Sequence, residues 1–435
     1  MSSAVVSLSV GVALLAALVG YFAQRQLPEP PPTIVGIDLG TTFSSIGYYH
    51  PISGETEILS DKQGRKSIPS VVGFLPNGTI LVGHDAVAQS EHNPTRTICD
   101  AKRFIGKKFT KEQLEKEIRR YPFKISADQN GLAKFHLPLD GDKEKILYPE
   151  DIGALIVNYL STFYPTKISR AVLTVPAEFD ETRRNASGAA VQAAGLKVYR
   201  IISEPTAASL AYGLHLKQHI DTVIVIDLGG GTLDVSILWL QGGLFVTRAM
   251  AGNNRLGGQD FNERLLRHLL QEIYESHNVT LTDAEDQQTL RLAVEDAKHT
   301  LTKRQLAVID VPLRTIGRFR YELTRSKFEL LNADLFERIL EPIVAALNDA
   351  EMSKSDIDEI VLVGGSTRVP AVRRVIGQYF GRAPSFGVDP ELAVVTGASV
   401  QAGVIGNSWP LTVAAIELDN NRRKIHVYSS EPPDS

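Results

Sequence analysis

Apolar and polar positions fall into two short stretches of this chain that repeat each other. "IVGIDLGTTFSSIGYY" runs from Ile34 to Tyr49, and "VIVIDLGGGTLDVSIL" runs from Val223 to Leu238. Each reads as an apolar strand ending in Asp, a tight turn of Gly and Thr, and a second apolar strand. That pattern predicts a β-hairpin in both places. Glycine lets the backbone of such a turn approach a ligand closely, and threonine adds a hydroxyl donor. Turn amides and hydroxyls of this kind wrap a phosphate, while the Asp adds negative charge where a hydrated Mg²⁺ would sit.

A second pair of phrases repeats as well. "RAVLTVPAEFDETRRNASGAAVQAAGL" and "DEIVLVGGSTRVPAVRRVIGQYF" each predict a buried strand, a sharp turn and an amphipathic helix. Pro176 follows Asp38 at nearly the same distance as Gly364 follows Asp227. Each half then supplies a predicted helix with proline in its first turn, "EPTAASLAYGL" and "DPELAVVTGASVQAGV". The pattern predicts an α/β protein of two similar lobes. Their hairpins face each other across a central cleft and hold phosphates from both sides.

The N-terminus changes the picture of location. Met1 to Gln24 contains no charged side chain, and Ala4 to Phe22 is almost wholly apolar. Residues 1–24 therefore read as a secretory signal or an N-terminal anchor. The proline cluster in 25–33 reads as an extended tether. Membrane contact is expected only through this segment, if it is retained. The 435 residues carry 46 Lys and Arg against 50 Asp and Glu, a net charge of −4, which argues against a nucleic-acid binder. The basic stretch "AKRFIGKKFTKEQLEKEIRR" has interleaved Glu and reads as a solvated helix face, Lys102 excepted. Cys99 is the sole cysteine, so neither an intrachain disulfide nor a Cys-based metal site is expected. The chain has no G-x-x-x-x-G-K-[ST], no G-x-G-x-x-G and no zinc-type pair of His on a helix. Asn77, Asn185 and Asn278 open glycosylation sequons. Asn278, in a polar loop, is the best acceptor, and Asn185 is expected to begin a packed helix.

"GIDLGTTFS", "DAKRFIGKKF", "LTVPAEF", "SEPTAASLAYGL", "VIDLGGGTLDVSIL", "GNNRLGGQDFN", "VEDAKHTLT" and "VLVGGSTRVP" occur together here. As a set they closely resemble the ATPase domain of the seventy-kilodalton heat-shock chaperones, from about Ile34 to Val404. The resemblance implies the duplicated two-lobe fold of the actin and hexokinase superfamily with a central nucleotide cleft. Lobe I would span 34–216, completed by 386–408, lobe II 217–385, and a tail 409–435. That tail is too short for the peptide-binding domain that usually follows. In this and in its apolar N-terminus the chain is similar to the short microsomal branch of the family. That likeness implies the lumen of the endoplasmic reticulum.

By the same resemblance, Gly40, Thr41, Thr42 and Phe43 form the first phosphate hairpin, and Gly229, Gly230, Gly231 and Thr232 the second. Asp38 and Asp227 are implied to hold hydrated Mg²⁺ and K⁺, with Asp234 helping a K⁺ ion and Glu204 in the metal and water shell. Lys102 is implied to point at the γ-phosphate and the attacking water of ATP, leaving ADP as product. Phosphoryl transfer needs chiefly positioning and positive charge of this kind. Glu295, Lys298 and Thr302, along one helical face, are implied to reach the ribose and base. Gly364, Gly365 and Ser366 let backbone approach the nucleotide, and Arg368 is expected to lay its guanidinium on the adenine. His299 stands where many members have Arg, and Glu178 replaces a common aromatic residue. The expected activity is ATP hydrolysis independent of peptide. The alternatives are a nucleotide-stabilised scaffold for chaperone co-factors (exchange factors or J-domain proteins) and a small-molecule kinase of the same superfamily. Nothing beyond the chaperone motifs speaks for the kinase.

Overall fold

The computed structural model describes residues 15–16, 18–20, 34–50, 53–90, 92–138, 144–385, 387–406, 415–418 and 422–427. The chain divides into two units, Met1–Pro32 and Thr33–Ser435. In the first, 15–16 and 18–20 are helical. The rest of the expected signal or anchor, and the tether over 25–33, lie outside the described residues. Among the described residues no helix is long and apolar enough to cross a membrane.

The second unit opens with strands β1 (Val35–Leu39), β2 (Phe43–His50) and β3 (Glu55–Ile58). Helix α1 (Pro149–Ser161), strand β4 (Arg170–Val175), α2 (Glu181–Ala193), β5 (Lys197–Ser203) and α3 (Glu204–Ala211) follow. These strands order as β5-β4-β1-β2-β3, with β1 parallel to β4 and antiparallel to β2. The plan then repeats with β6 (Thr222–Leu228), β7 (Leu233–Gln241), β8 (Leu244–Asn253), α4 (Gly258–His277), α5 (Ala284–Lys303), β9 (Glu359–Val363), α6 (Pro370–Phe380) and α7 (Ala393–Ile405). The second sheet orders as β9-β6-β7-β8, with β6 parallel to β9 and antiparallel to β7. The predicted repetition is therefore one of strand connectivity as well as sequence. Two short strands, β10 (Ile416–Glu417) and β11 (Ile425–His426), run parallel along β8.

Strand period two explains how the sheets share a core. Ile224, Ile226 and Leu228 of β6 point into the second half's own apolar cluster, while Val223 and Val225 point the other way. That other face meets a central cluster containing Val172, Ala207, Ala208, Val361, Ala393 and Ala398. A strand covered on both faces reads as a continuous apolar run, as "VIVI" does. Helices α3 and α7 fill this centre, and their small residues allow a very close crossing. A Cβ on Gly397 would stand 1.7 Å from the Ala207 carbonyl oxygen.

Two sequence expectations need correction. Pro390 does not start a helix: α7 begins at Ala393, and the Pro390 carbonyl accepts the Gly364 N–H at 2.9 Å instead of an N–H of its own helix. Asn185 does not begin a helix either. It lies inside α2, whose N-cap is Asp180, and its side chain is exposed. Asn278 is exposed and ends α4 in the left-handed conformation, with φ of 54°.

Gly397→Ala places a methyl group against the Ala207 backbone in the central cluster, and overpacking of this kind costs roughly 1–3 kcal/mol or more. The variant is expected to melt several degrees below wild type in a thermal denaturation scan. An unchanged melting temperature would show that α3 and α7 do not cross this closely.

Candidate functional site

Register builds the site. Asp38 lies beside Thr174 on parallel β4, and Asp227 lies beside Val363 on parallel β9. The aspartates close equivalent strands, so both emerge at the same end of their sheets. The Thr174 hydroxyl donates to Asp38 Oδ1 at 3.1 Å. Across the second hairpin, Asp227 pairs with Asp234, and the turn closes by the Gly229 N–H donating to the Thr232 carbonyl at 3.0 Å. The two turns meet: a Cβ added to Gly230 would stand 3.1 Å from Thr42 Cγ2.

Lys102 reaches this end from a 3₁₀ turn, Ala101–Arg103, whose preceding residue Asp100 is left-handed, with φ of 55°. Its Nζ donates to Glu204 Oε1 at 2.6 Å, and both side chains are largely buried, 6% and 19% exposed. Glu204 is the first residue of α3, whose N-cap Ser203 accepts the Thr206 N–H. The predicted proline-started helix thus sets the carboxylate that meets Lys102.

The carboxylates crowd one another. Burial, and then the charge of Glu204, push the Asp38 carboxyl up to about 6, against the opposing pull of Lys102 and the Thr174 hydrogen bond. Asp227 is also raised well above the ordinary range, by burial and by Glu204, Asp234 and Asp38.

A cavity of ≈ 440 Å³ runs from this floor between the halves. Of the residues expected at the site, all but Gly231 line it. Gly231 instead turns toward Arg103, where a Cβ would be 2.8 Å from Nη2. Gly364 has φ of 84°, and a Cβ there would stand 2.7 Å from Asp227 Oδ1, so only glycine lets this loop lie over the aspartate. The Ser366 hydroxyl donates to the Gly229 carbonyl at 2.8 Å and ties the same loop to the second hairpin.

At the far end, α5 presents Glu295, Lys298, His299 and Thr302 to the cavity. Lys298 Nζ donates to Glu295 at 3.1 Å and to the Gly258 carbonyl at 3.3 Å. Against the cost of burial, His299, Lys298 and Asn262 hold the Glu295 carboxyl down at about 2. His299 is tied to Glu295 at 2.9 Å, and the Thr302 hydroxyl donates to the His299 carbonyl. Arg368 keeps its guanidinium at the rim by donating to Asp389 and, at 3.2 Å, to Glu391. Its buried Nε has no hydrogen-bond partner among the described residues.

Other contributors carried no role in the sequence reading. The first amides of α4 hold the second turn: Gly258 N–H donates to the Gly229 carbonyl at 3.0 Å and Gln259 N–H to that of Gly230 at 2.7 Å. The phrase "GNNRLGGQDFN" contained that signal in its paired glycines. Thr174 and Lys424 had no local signal at all.

The residues fit a polyphosphate with a hydrated cation. Close-packed glycines leave backbone space, and uncompensated carboxylates offer hard oxygen donors. Among the described residues no three His, Cys, Asp or Glu side chains converge to hold a bare metal ion.

Paired hairpins on duplicated sheets, facing across a cleft, define an α/β nucleotide-binding protein of two lobes. A family model described as "Hsp70 protein" matches residues 34–418. Heat shock 70 kDa protein 13 from Mus musculus and from Homo sapiens are each 44% identical over 451 residues, covering 93% of this chain and 95% of theirs. The chain belongs to the Hsp70 family and carries its two-lobe, actin-like, ATPase-type fold, the nucleotide-binding domain of a chaperone family. ATPases of this family use nucleotide, generally with Mg²⁺.

The raised Asp38 carboxyl has a consequence for stability. Its folded value of about 6 exceeds the ordinary 3.8, so the nucleotide-free protein bears no cost below the lower value. The cost grows as pH rises through the higher one. Asp38→Asn is expected to melt above wild type at about pH 7.5, with the gap closing near pH 4. A gap that is equal at both pH values would contradict the assigned burial.

Proposed function

We propose that this chain binds ATP and ADP with Mg²⁺ and hydrolyses ATP to ADP and phosphate without needing a peptide. The observation that carries the proposal is the buried Lys102–Glu204 pair at the foot of two facing hairpins. Gly40, Thr41 and Thr42 on one side and Gly229, Gly230, Gly231 and Thr232 on the other offer amide and hydroxyl donors to the phosphates. Asp38, Asp227 and Glu204 would hold Mg²⁺ through its waters, and Asp234 extends that acidic floor. When bound, the cation neutralises phosphate charge and orients the polyphosphate.

Lys102 supplies fixed positive charge where the equatorial oxygens gather negative charge during transfer. Glu204 positions that ammonium and presents a carboxylate oxygen on the side a water would approach. Glu295, Lys298, Thr302, Gly364, Gly365, Ser366 and Arg368 form the adenosine end. Phe43, 48% exposed at the mouth of the first hairpin, guards the entrance. Closure of the two lobes on nucleotide is the output, read by co-factors of the exchange-factor or J-domain kind. The apolar N-terminal segment supports work in the lumen of the endoplasmic reticulum.

Lys102→Ala is expected to keep ATP binding and lose hydrolysis in a single-turnover assay with bound nucleotide quantified. Wild-type turnover should be unchanged by added peptide. Binding without wild-type turnover above that of the variant would instead favour a nucleotide-stabilised scaffold.

A further inference from the structure

Lys424 lies far along the chain from every motif, yet it enters the phosphate end of the cleft. Its Nζ donates to Asp234 Oδ1, to Asn254 Oδ1 at 3.1 Å, and pairs with Glu178 Oε2 at 3.3 Å. The side chain is only 4% exposed. The backbone on either side is built to bring it there. Strand β11 follows directly and pairs in parallel with β8, Ala251 facing Ile425 and Gly252 facing His426. The Val427 N–H adds a bond to the Gly252 carbonyl at 2.9 Å.

Gly252 matters because it faces Asp234 across the β7–β8 ladder. A Cβ there would stand 2.4 Å from Lys424 Cε, so the missing side chain is the channel for the lysine stem. Glu178 comes from the turn between β4 and α2, in the other half of the molecule. The ammonium therefore bridges the halves. Glu178 is thus a partner for a buried cation.

The charges explain what such a cation does. Asp38, Asp227, Asp234, Glu204 and Glu178 place five carboxylates around this end; Lys102 is already committed to Glu204, and Arg183 reaches only Glu178, at 3.8 Å. A polyphosphate entering such a field is repelled unless further positive charge is present. A compact lysine ammonium has the charge of a monovalent ion. Carried on the chain, it needs no recruitment from solution.

We propose that Lys424 is a resident cation of the cleft. It is a positioning residue whose ammonium stands at Asp234 in place of a bound K⁺, makes nucleotide binding independent of K⁺, and latches the C-terminal segment to both halves. This rests on the ATP-binding reading above. Burial works against the charged form of Lys424, but Asp234 and Glu178 more than offset it and raise its pKa above that of an ordinary lysine.

Calorimetric titration of the full chain with Mg-ATP in potassium, sodium and lithium chloride at matched ionic strength tests the cation role. Wild-type affinity should agree within about twofold across the salts. Lys424→Gln should bind about tenfold more weakly in lithium, the loss of one charge-assisted hydrogen bond, and recover in potassium. A wild type that itself depends on K⁺, or a variant indifferent to salt, would overturn the proposal.

A second measurement needs no nucleotide. Lys-specific endoproteinase should cut after Lys424 slowly in wild type and several-fold faster in Glu178→Gln. Equal fast cutting in both would overturn the latch. Absence of ATP binding in every salt, with the bond still protected, would sink the ATP reading and the cation role together while the latch stands.

Discussion

Everything at this site depends on holding several carboxylates close together in a partly dry cleft. Burial, and then the charge of Glu204, raise the pKa of both Asp38 and Asp227, and Asp234 adds to the shift of Asp227. Two lysine ammonium groups make the cluster tenable, Lys102 on Glu204 and Lys424 between Asp234 and Glu178. Removing one partner of such a buried pair typically costs about 3–5 kcal/mol, because a charge is left without compensation. In the proposed reading, a Mg²⁺-bearing polyphosphate would relieve the crowding of these carboxylates.

The duplicated sheets make this arrangement geometrically cheap. Equivalent strands end in equivalent aspartates, and a shared apolar centre built on Val223, Val225, Ala207 and Ala398 fixes the two halves against each other. The same centre places Glu204 at the first turn of α3, so the packing that joins the halves also aims the carboxylate at Lys102. Binding site and hydrophobic core are two faces of one set of strands and helices.

The hairpins were legible in the sequence because their chemistry is local: an Asp, a Gly-Thr turn and flanking apolar runs all lie within a few residues. Thr174 was not, since its role comes only from parallel register with Asp38. Pro390 misled: proline's preference for a helix start did not hold there, and its carbonyl accepts the Gly364 N–H instead. Glu178 had no meaning until Lys424 was placed beside it. Lys424 itself meets Asp234 across 190 residues of chain, a contact no local pattern announces. His299 was legible as a departure from the family, but not its engagement with Glu295.

In the proposed reading two hairpins grip phosphates from both sides, so the binding energy belongs to the phosphate chain more than to the base. Calorimetric titration with ATP, ADP and AMP in the presence of Mg²⁺ tests this most directly. Affinity is expected to fall at least about tenfold from ADP to AMP, a loss of roughly 1.4 kcal/mol or more. Equal affinity for all three nucleotides would contradict it.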